Sequence, residues 1–158
     1  MSDQNVSAQP EQPSELSRRA TSEEARAAYA AASNSAAAKM SLIQLIARSC
    51  TDNEVCATLG CAQVDLSTKL AASELQAFDV AGTRLFPAWQ FTDSNTIPSL
   101  AELLAVARDV TPVTLAGFMD RPQGWLLNGG AALSPRDWLR LGHEPQIVYN
   151  AIEGWRRR

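Results

Sequence analysis

Convergent catalytic groups are scarce in this chain. It has one histidine and three cysteines in 158 residues, so no histidine pair is available for a metal or a proton relay. The spacing Cys50-x5-Cys56-x4-Cys61 lacks the paired thiolates of structural zinc sites. The run Gly124-Trp125-Leu126-Leu127-Asn128-Gly129-Gly130 has no lysine after its glycines and is no phosphate loop. His143, between Gly142 and Glu144-Pro145, is placed in a loop or near a helix end, where the helix C-terminus favours its charged form. The sequence therefore predicts no enzyme, no metal and no cofactor. Long apolar runs are absent as well, and the mean hydropathy is −0.16, which excludes a membrane-spanning helix. The opening MSDQNVSAQPEQPSE is too polar for a secretory leader. An odd cysteine count argues against a secreted disulfide scaffold. These features together predict a cytoplasmic protein.

Excess positive charge is missing too. Residues 1–24 hold five carboxylates against Arg18 and Arg19 and so account for the net charge of −3, leaving 12 basic and 12 acidic residues beyond them. Non-specific grip on nucleic acid needs surplus lysine and arginine, and only Arg156-Arg157-Arg158 is densely basic.

What is present is helical patterning. Residues 1–20, rich in Ser, Gln, Pro and Glu, predict a disordered tail because they cannot bury enough surface to offset ordering. Thr21-x-x-Glu24 has capping-box spacing and opens an Ala-rich helix, residues 21–49, loosened at Ser33-Asn34-Ser35, with Met40, Leu42, Ile43, Leu45 and Ile46 on one face. Thr51-x-x-Glu54 is a second box, opening a short helix that Gly60 stops. Another short helix runs from Gln63 to Leu70. Alternating apolar residues on both sides of Ala81-Gly82 then predict a β-hairpin, residues 75–87.

Helix, turn, helix and hairpin in that order resemble the excisionase or MerR-type winged helix family. The resemblance covers about residues 51–91 and is carried by Val55-Cys56-Ala57-Thr58-Leu59-Gly60-Cys61, Leu75…Ala77-Phe78 and Val80-Ala81-Gly82-Thr83-Arg84-Leu85-Phe86-Pro87. It implies that residues 50–92 form a winged helix-turn-helix, with the second helix in the major groove of double-stranded DNA and the wing on the backbone or minor groove. Gln63, Ser67, Thr68 and Lys69 are the candidate contacts on that helix, and Thr83 and Arg84 those on the wing. Asp65 cancels Lys69, so the helix itself is neutral; neutral polar side chains nonetheless contact bases and phosphates.

Beyond residue 92 the pattern predicts a helical C-terminal partner-binding subdomain, residues 93–158. Ser99 caps a helix through Leu100, Leu103, Leu104 and Val106. A further helix carries Leu115, Phe118 and Met119. Ser134-Pro135 starts another, with Ser134 as N-cap and Asp137 near its positive end. The last bears the stripe Ile147, Val148, Ala151, Ile152, Trp155. Phe118-Met119-x-x-Pro122, Gly129-Gly130, Leu133-Ser134-Pro135-Arg136-Asp137-Trp138-Leu139 and Gly142 resemble the toxin-binding domain of Xre/MbcA/ParS antitoxins. That resemblance implies a protein partner, a toxin of the RES type. Trp125, Leu126, Trp138 and Trp155 are the candidate partner contacts, since tryptophan is enriched at interface hot spots; Trp138 and Trp155 also read as filling a small core. The expectation is a mainly α protein with a small β-hairpin wing, acting as a dimeric, autoregulating, antitoxin-like repressor. The alternative is an adaptor that uses a winged-helix scaffold without binding DNA.

Overall fold

A computed structural model describes residues 15–158 of the chain, with side chains at 25–28 and from 34 onwards. The described residues form seven α-helices, a short 3-10 turn and five short strands. The protein is thus mainly helical, with a small antiparallel sheet. The chain divides into two units, residues 1–39 and 40–158.

The first unit, where described, is helix alone. Helix α1 runs Glu15–Ala47 without a break. It is already under way at Thr21, so the start expected there is corrected. Glu15, Leu16, Arg18, Arg19 and Ala20 are strong helix formers and extend it backwards. The tail expected over 1–20 is therefore helical from Glu15, and its first fourteen residues lie outside the described ones.

The second unit begins inside the last turns of α1, where Leu45 is buried. Strand β1 (Ser49–Thr51) follows and leads directly into helix α2 (Asp52–Leu59). The expected box is formed: Thr51 N–H donates to Glu54 Oε2 at 2.7 Å, and Glu54 N–H donates to Thr51 Oγ1 at 3.4 Å. Gly60 ends α2 in the left-handed region, φ 64°, which a side chain there would strain. Helix α3 (Gln63–Ala71) follows, its first backbone N–H groups covered by Asp65, which accepts from Ala62 N–H at 3.0 Å.

Strands β2 (Phe78–Val80) and β3 (Thr83–Pro87) pair around Ala81-Gly82. Both turn residues have positive φ, 49° and 80°, the mirror-type turn whose twist suits a hairpin. The sequence did not reveal β1, which pairs with β3 in the order β1-β3-β2, Cys50 opposite Phe86. Three residues are too few for a period to show.

After a 3-10 turn (Ala88–Gln90) come α4 (Leu100–Val106), α5 (Pro112–Met119), the two-residue strands β4 (Leu127–Asn128) and β5 (Ala131–Ala132), α6 (Pro135–Arg140) and α7 (Gln146–Arg156). Leu100, Leu103 and Leu104 are buried as their spacing predicts. Ser99 does not cap α4 with its hydroxyl: it sits at φ 62°, and instead its carbonyl accepts from the Tyr149 hydroxyl at 3.3 Å, linking α4 to α7. Ser134 does cap α6, accepting from Asp137 N–H at 3.1 Å. One continuous core runs through the second unit, with Leu66, Phe86, Trp89, Leu103, Leu115, Leu126 and Ile152 among its members. No described helix is long and apolar enough to cross a membrane.

Candidate functional site

Two surfaces of the second unit carry the residues singled out by sequence. The first is formed by α3 and the β2–β3 turn. Leu66 anchors α3 to the core, which turns Gln63, Val64, Ser67 and Thr68 outwards. Val64 is 71% exposed, a large apolar side chain in the middle of that outer face. Thr83 is exposed where β3 starts.

The polar groups of this face already hold partners. Gln63 donates to Asn53 Oδ1 at 3.0 Å, and Thr68 Oγ1 to the Val64 carbonyl at 3.1 Å. Ser67 bonds back to the Gln63 carbonyl at 3.4 Å. Lys69 faces Glu74 at 3.4 Å. Arg84, the candidate wing contact, is engaged within the fold. Its guanidinium grips Asp52 at the start of α2 with two bonds, 3.0 Å from Nε and 2.7 Å from Nη2, and lies 5.6 Å over the Phe86 ring. That fork pins the hairpin to α2, and the hydrogen bond to Asp52 raises the arginine's pKa further.

Between residues 48 and 91 the chain has three cations, Arg48, Lys69 and Arg84, against the five carboxylates Asp52, Glu54, Asp65, Glu74 and Asp79. Each cation faces a carboxylate, the loosest being Arg48 and Asp120 at 4.0 Å. A second positioning residue, which the sequence gave no reason to select, is Gln90. It is fully buried, accepts from Gln76 N–H at 2.7 Å, and donates to the Gln76 and Pro87 carbonyls at 2.8 and 3.1 Å. Its amide satisfies backbone groups that would otherwise be stranded in the core and ties the approach to β2 to the end of β3.

The second surface lies on α5, α7 and the segment before β4. The Phe118 ring stacks on Trp125 at 6.4 Å and meets Trp155 edge-on at 4.6 Å. Trp125 and Trp155 are 43% and 38% exposed. Phe118, not among the candidate partner contacts, joins the two tryptophans into one aromatic face. Leu126 must be withdrawn from the partner contacts, because it is fully buried. Gln123 to Leu126 forms a turn, Leu126 N–H donating to the Gln123 carbonyl at 3.0 Å, which leaves Trp125 and Leu127 exposed and Leu126 facing in. Trp138 is engaged elsewhere: half-buried, it donates its indole N–H to the Glu144 carbonyl at 2.8 Å and stacks on His143 at 4.3 Å, holding the α6–α7 turn.

Burial pushes the Cys50 thiol up, and the Glu54 carboxylate adds to this, so it is a poor thiolate source. No cluster of three or more His, Cys, Asp or Glu side chains suited to a metal occurs among the described residues.

No protein-family model matches the chain, and no curated protein matches it. Among solved structures it is similar to the NMR structure of Rv2175c, at 22% sequence identity and a TM-score of 0.53, over 68% of this chain and 80% of that one. At that identity the likeness speaks to the fold alone.

Proposed function

We propose that this protein is a sequence-specific DNA-binding regulator. In this reading α2, the Gly60 turn and α3 form a helix-turn-helix, β2–β3 forms its wing, and two copies bind a palindrome. The observation that carries the reading is the outer face of α3: uncovered, with polar Gln63, Ser67 and Thr68 around Val64, anchored from behind by Leu66 and followed by the hairpin. Gln63, Ser67, Thr68 and Lys69 contact base edges and phosphates, and Thr83 and Arg84 contact the backbone. The aromatic face of Trp125, Phe118 and Trp155 takes a protein partner. The resemblance of residues 113–155 to antitoxins makes that partner a toxin and the protein an autoregulating repressor.

A second reading, an adaptor that keeps this scaffold without binding DNA, is favoured by one specific observation: residues 48–91 hold more carboxylates than cations. Fluorescence anisotropy with a duplex from the protein's own upstream region, at two salt concentrations, separates the two. The DNA reading expects binding that survives competitor DNA and weakens with salt. With one or two phosphate-contacting cations per copy, a dimer gives a log–log salt slope of about −2 to −4. Lys69→Ala and Arg84→Ala each lower affinity. Absence of binding at low salt would sink the DNA reading and leave the adaptor.

A further inference from the structure

A cavity of about 320 Å³ opens between the last turns of α1 and helix α5, within the second unit. Its walls are of two kinds. Val113 and Pro122 give an apolar wall beside the buried Leu45 and Trp89, while Arg48, Asp120 and Arg121 stand around it. This mixture, an apolar body with a few convergent polar groups, is what small-molecule sites present.

The charges are incompletely matched. Asp120 is half-buried, and its arginine neighbours stand at 3.7 Å (Arg136) and 4.0 Å (Arg48), longer than a charge-assisted hydrogen bond. Burial outweighs both and pushes its carboxyl up, so the site under-compensates the carboxylate. Arg48 is 70% exposed, and Arg121 is exposed with no ion pair among the described residues. The Trp89 indole N–H is buried and has no hydrogen-bond partner among them either.

Gly117 supplies an independent observation. It lies inside α5 with ordinary helical φ, where glycine weakens a helix. A Cβ there would meet nothing within 4 Å, so the chain's own packing does not require glycine. Its effect is to leave the cavity wall open.

We propose that this cavity binds a small zwitterion, an α-amino acid with an apolar side chain, whose ammonium meets Asp120 and whose carboxylate meets Arg48 and Arg121. Val113 and Pro122 receive the side chain. The Arg48 carbonyl accepts from Ala88 N–H at 2.9 Å, and β1 follows at Ser49, so the occupied site abuts the sheet that carries the hairpin. The binding site stands on this geometry whether or not the protein binds DNA.

The test is calorimetric titration of the full-length protein with L-leucine and L-phenylalanine, beside phenylacetate and phenethylamine, which each lack one charge. One of the two amino acids binds, and each single-charge analogue binds more weakly than L-phenylalanine by about tenfold or more. Gly117→Leu fills the cavity and abolishes binding. Arg121→Gln, an exposed change, weakens it about tenfold. The Trp89 indole resonance shifts on titration. Thermal melts of both variants establish that they are folded. Absence of binding by either amino acid, or undiminished binding to folded Gly117→Leu, overturns the site; phenylacetate binding as tightly as L-phenylalanine overturns the role given to Asp120.

Discussion

The face of α3 and the aromatic face of α5 and α7 are built on opposite principles. On the first, Gln63, Ser67, Thr68, Lys69 and Arg84 already hold hydrogen-bond or ion-pair partners. Any ligand there must exchange one set of polar contacts for another, and such exchanges gain little net free energy each. On the second, Trp125 and Trp155 stand exposed against Phe118. A partner there gains from apolar burial, and no internal bond has to break. The comparison teaches that the α3 face suits selective, adjustable contact and the aromatic face suits affinity.

The largest effect expected distinguishes two adjacent residues beside the aromatic face. Leu126→Ala costs about 2–5 kcal/mol of stability, because it opens a cavity in the core. Trp125→Ala costs roughly 1 kcal/mol or less, since much of its ring is in water. Denaturant midpoints of the two variants check this, and equal losses would move Trp125 into the core. Next comes Gln90→Leu, which strands the backbone N–H and carbonyl of Gln76 and costs about 1–3 kcal/mol. Its chemical-shift changes should concentrate at the β2–β3 hairpin.

The Asp52–Arg84 fork sharpens the α3 side of the comparison. Its side chains are about one-third exposed, so Asp52→Asn costs only ~0.5–1 kcal/mol of stability, less at high salt. If the proposed DNA contact is right, the same variant releases Arg84 and strengthens duplex binding, opposite in sign to Arg84→Ala; a loss with both variants would give Arg84 a purely structural role. Gly117→Ala is expected to stabilise by ~0.5–1 kcal/mol, as a helical glycine in open space should.

The smallest effect is a pH dependence. Burial raises the Asp120 carboxyl, against the lowering by Arg136 and then Arg48. The folded protein therefore holds this proton more tightly than the unfolded chain. Its favourable contribution is fully present below the ordinary aspartate value of about 3.9 and is lost as pH rises through the raised one. Urea midpoints for wild type and Asp120→Asn, between about pH 3 and pH 7, should show the variant gaining on wild type as pH rises. The reverse trend would mean that the two arginines outweigh burial.

The elements legible in the sequence were those with local chemical signatures. The capping box at Thr51 and Glu54, the stop at Gly60, the Ala81-Gly82 turn and the Ser134-Pro135 start each depend on residues within four positions of one another, and each is formed. Strand β1 escaped because its reason to exist is β3, more than thirty residues away. The start of α1 was misplaced because a good cap at Thr21 does not prevent helix formation before it. Ser99 was misread because its backbone is left-handed, a conformation set by what surrounds it.

Composition and local pattern alone determined that the chain is mainly helical with one principal hairpin, and that cations and carboxylates balance beyond residue 24. Helix periods, caps and turns act over a few residues, and net charge needs no geometry. Tertiary structure alone decided that Arg84 turns back to Asp52, that Leu126 is core while Trp125 is surface, and that Phe118 joins Trp125 to Trp155 of the last helix. Each of these is a choice of neighbour between residues far apart in the chain, and the packing of one shared core makes that choice.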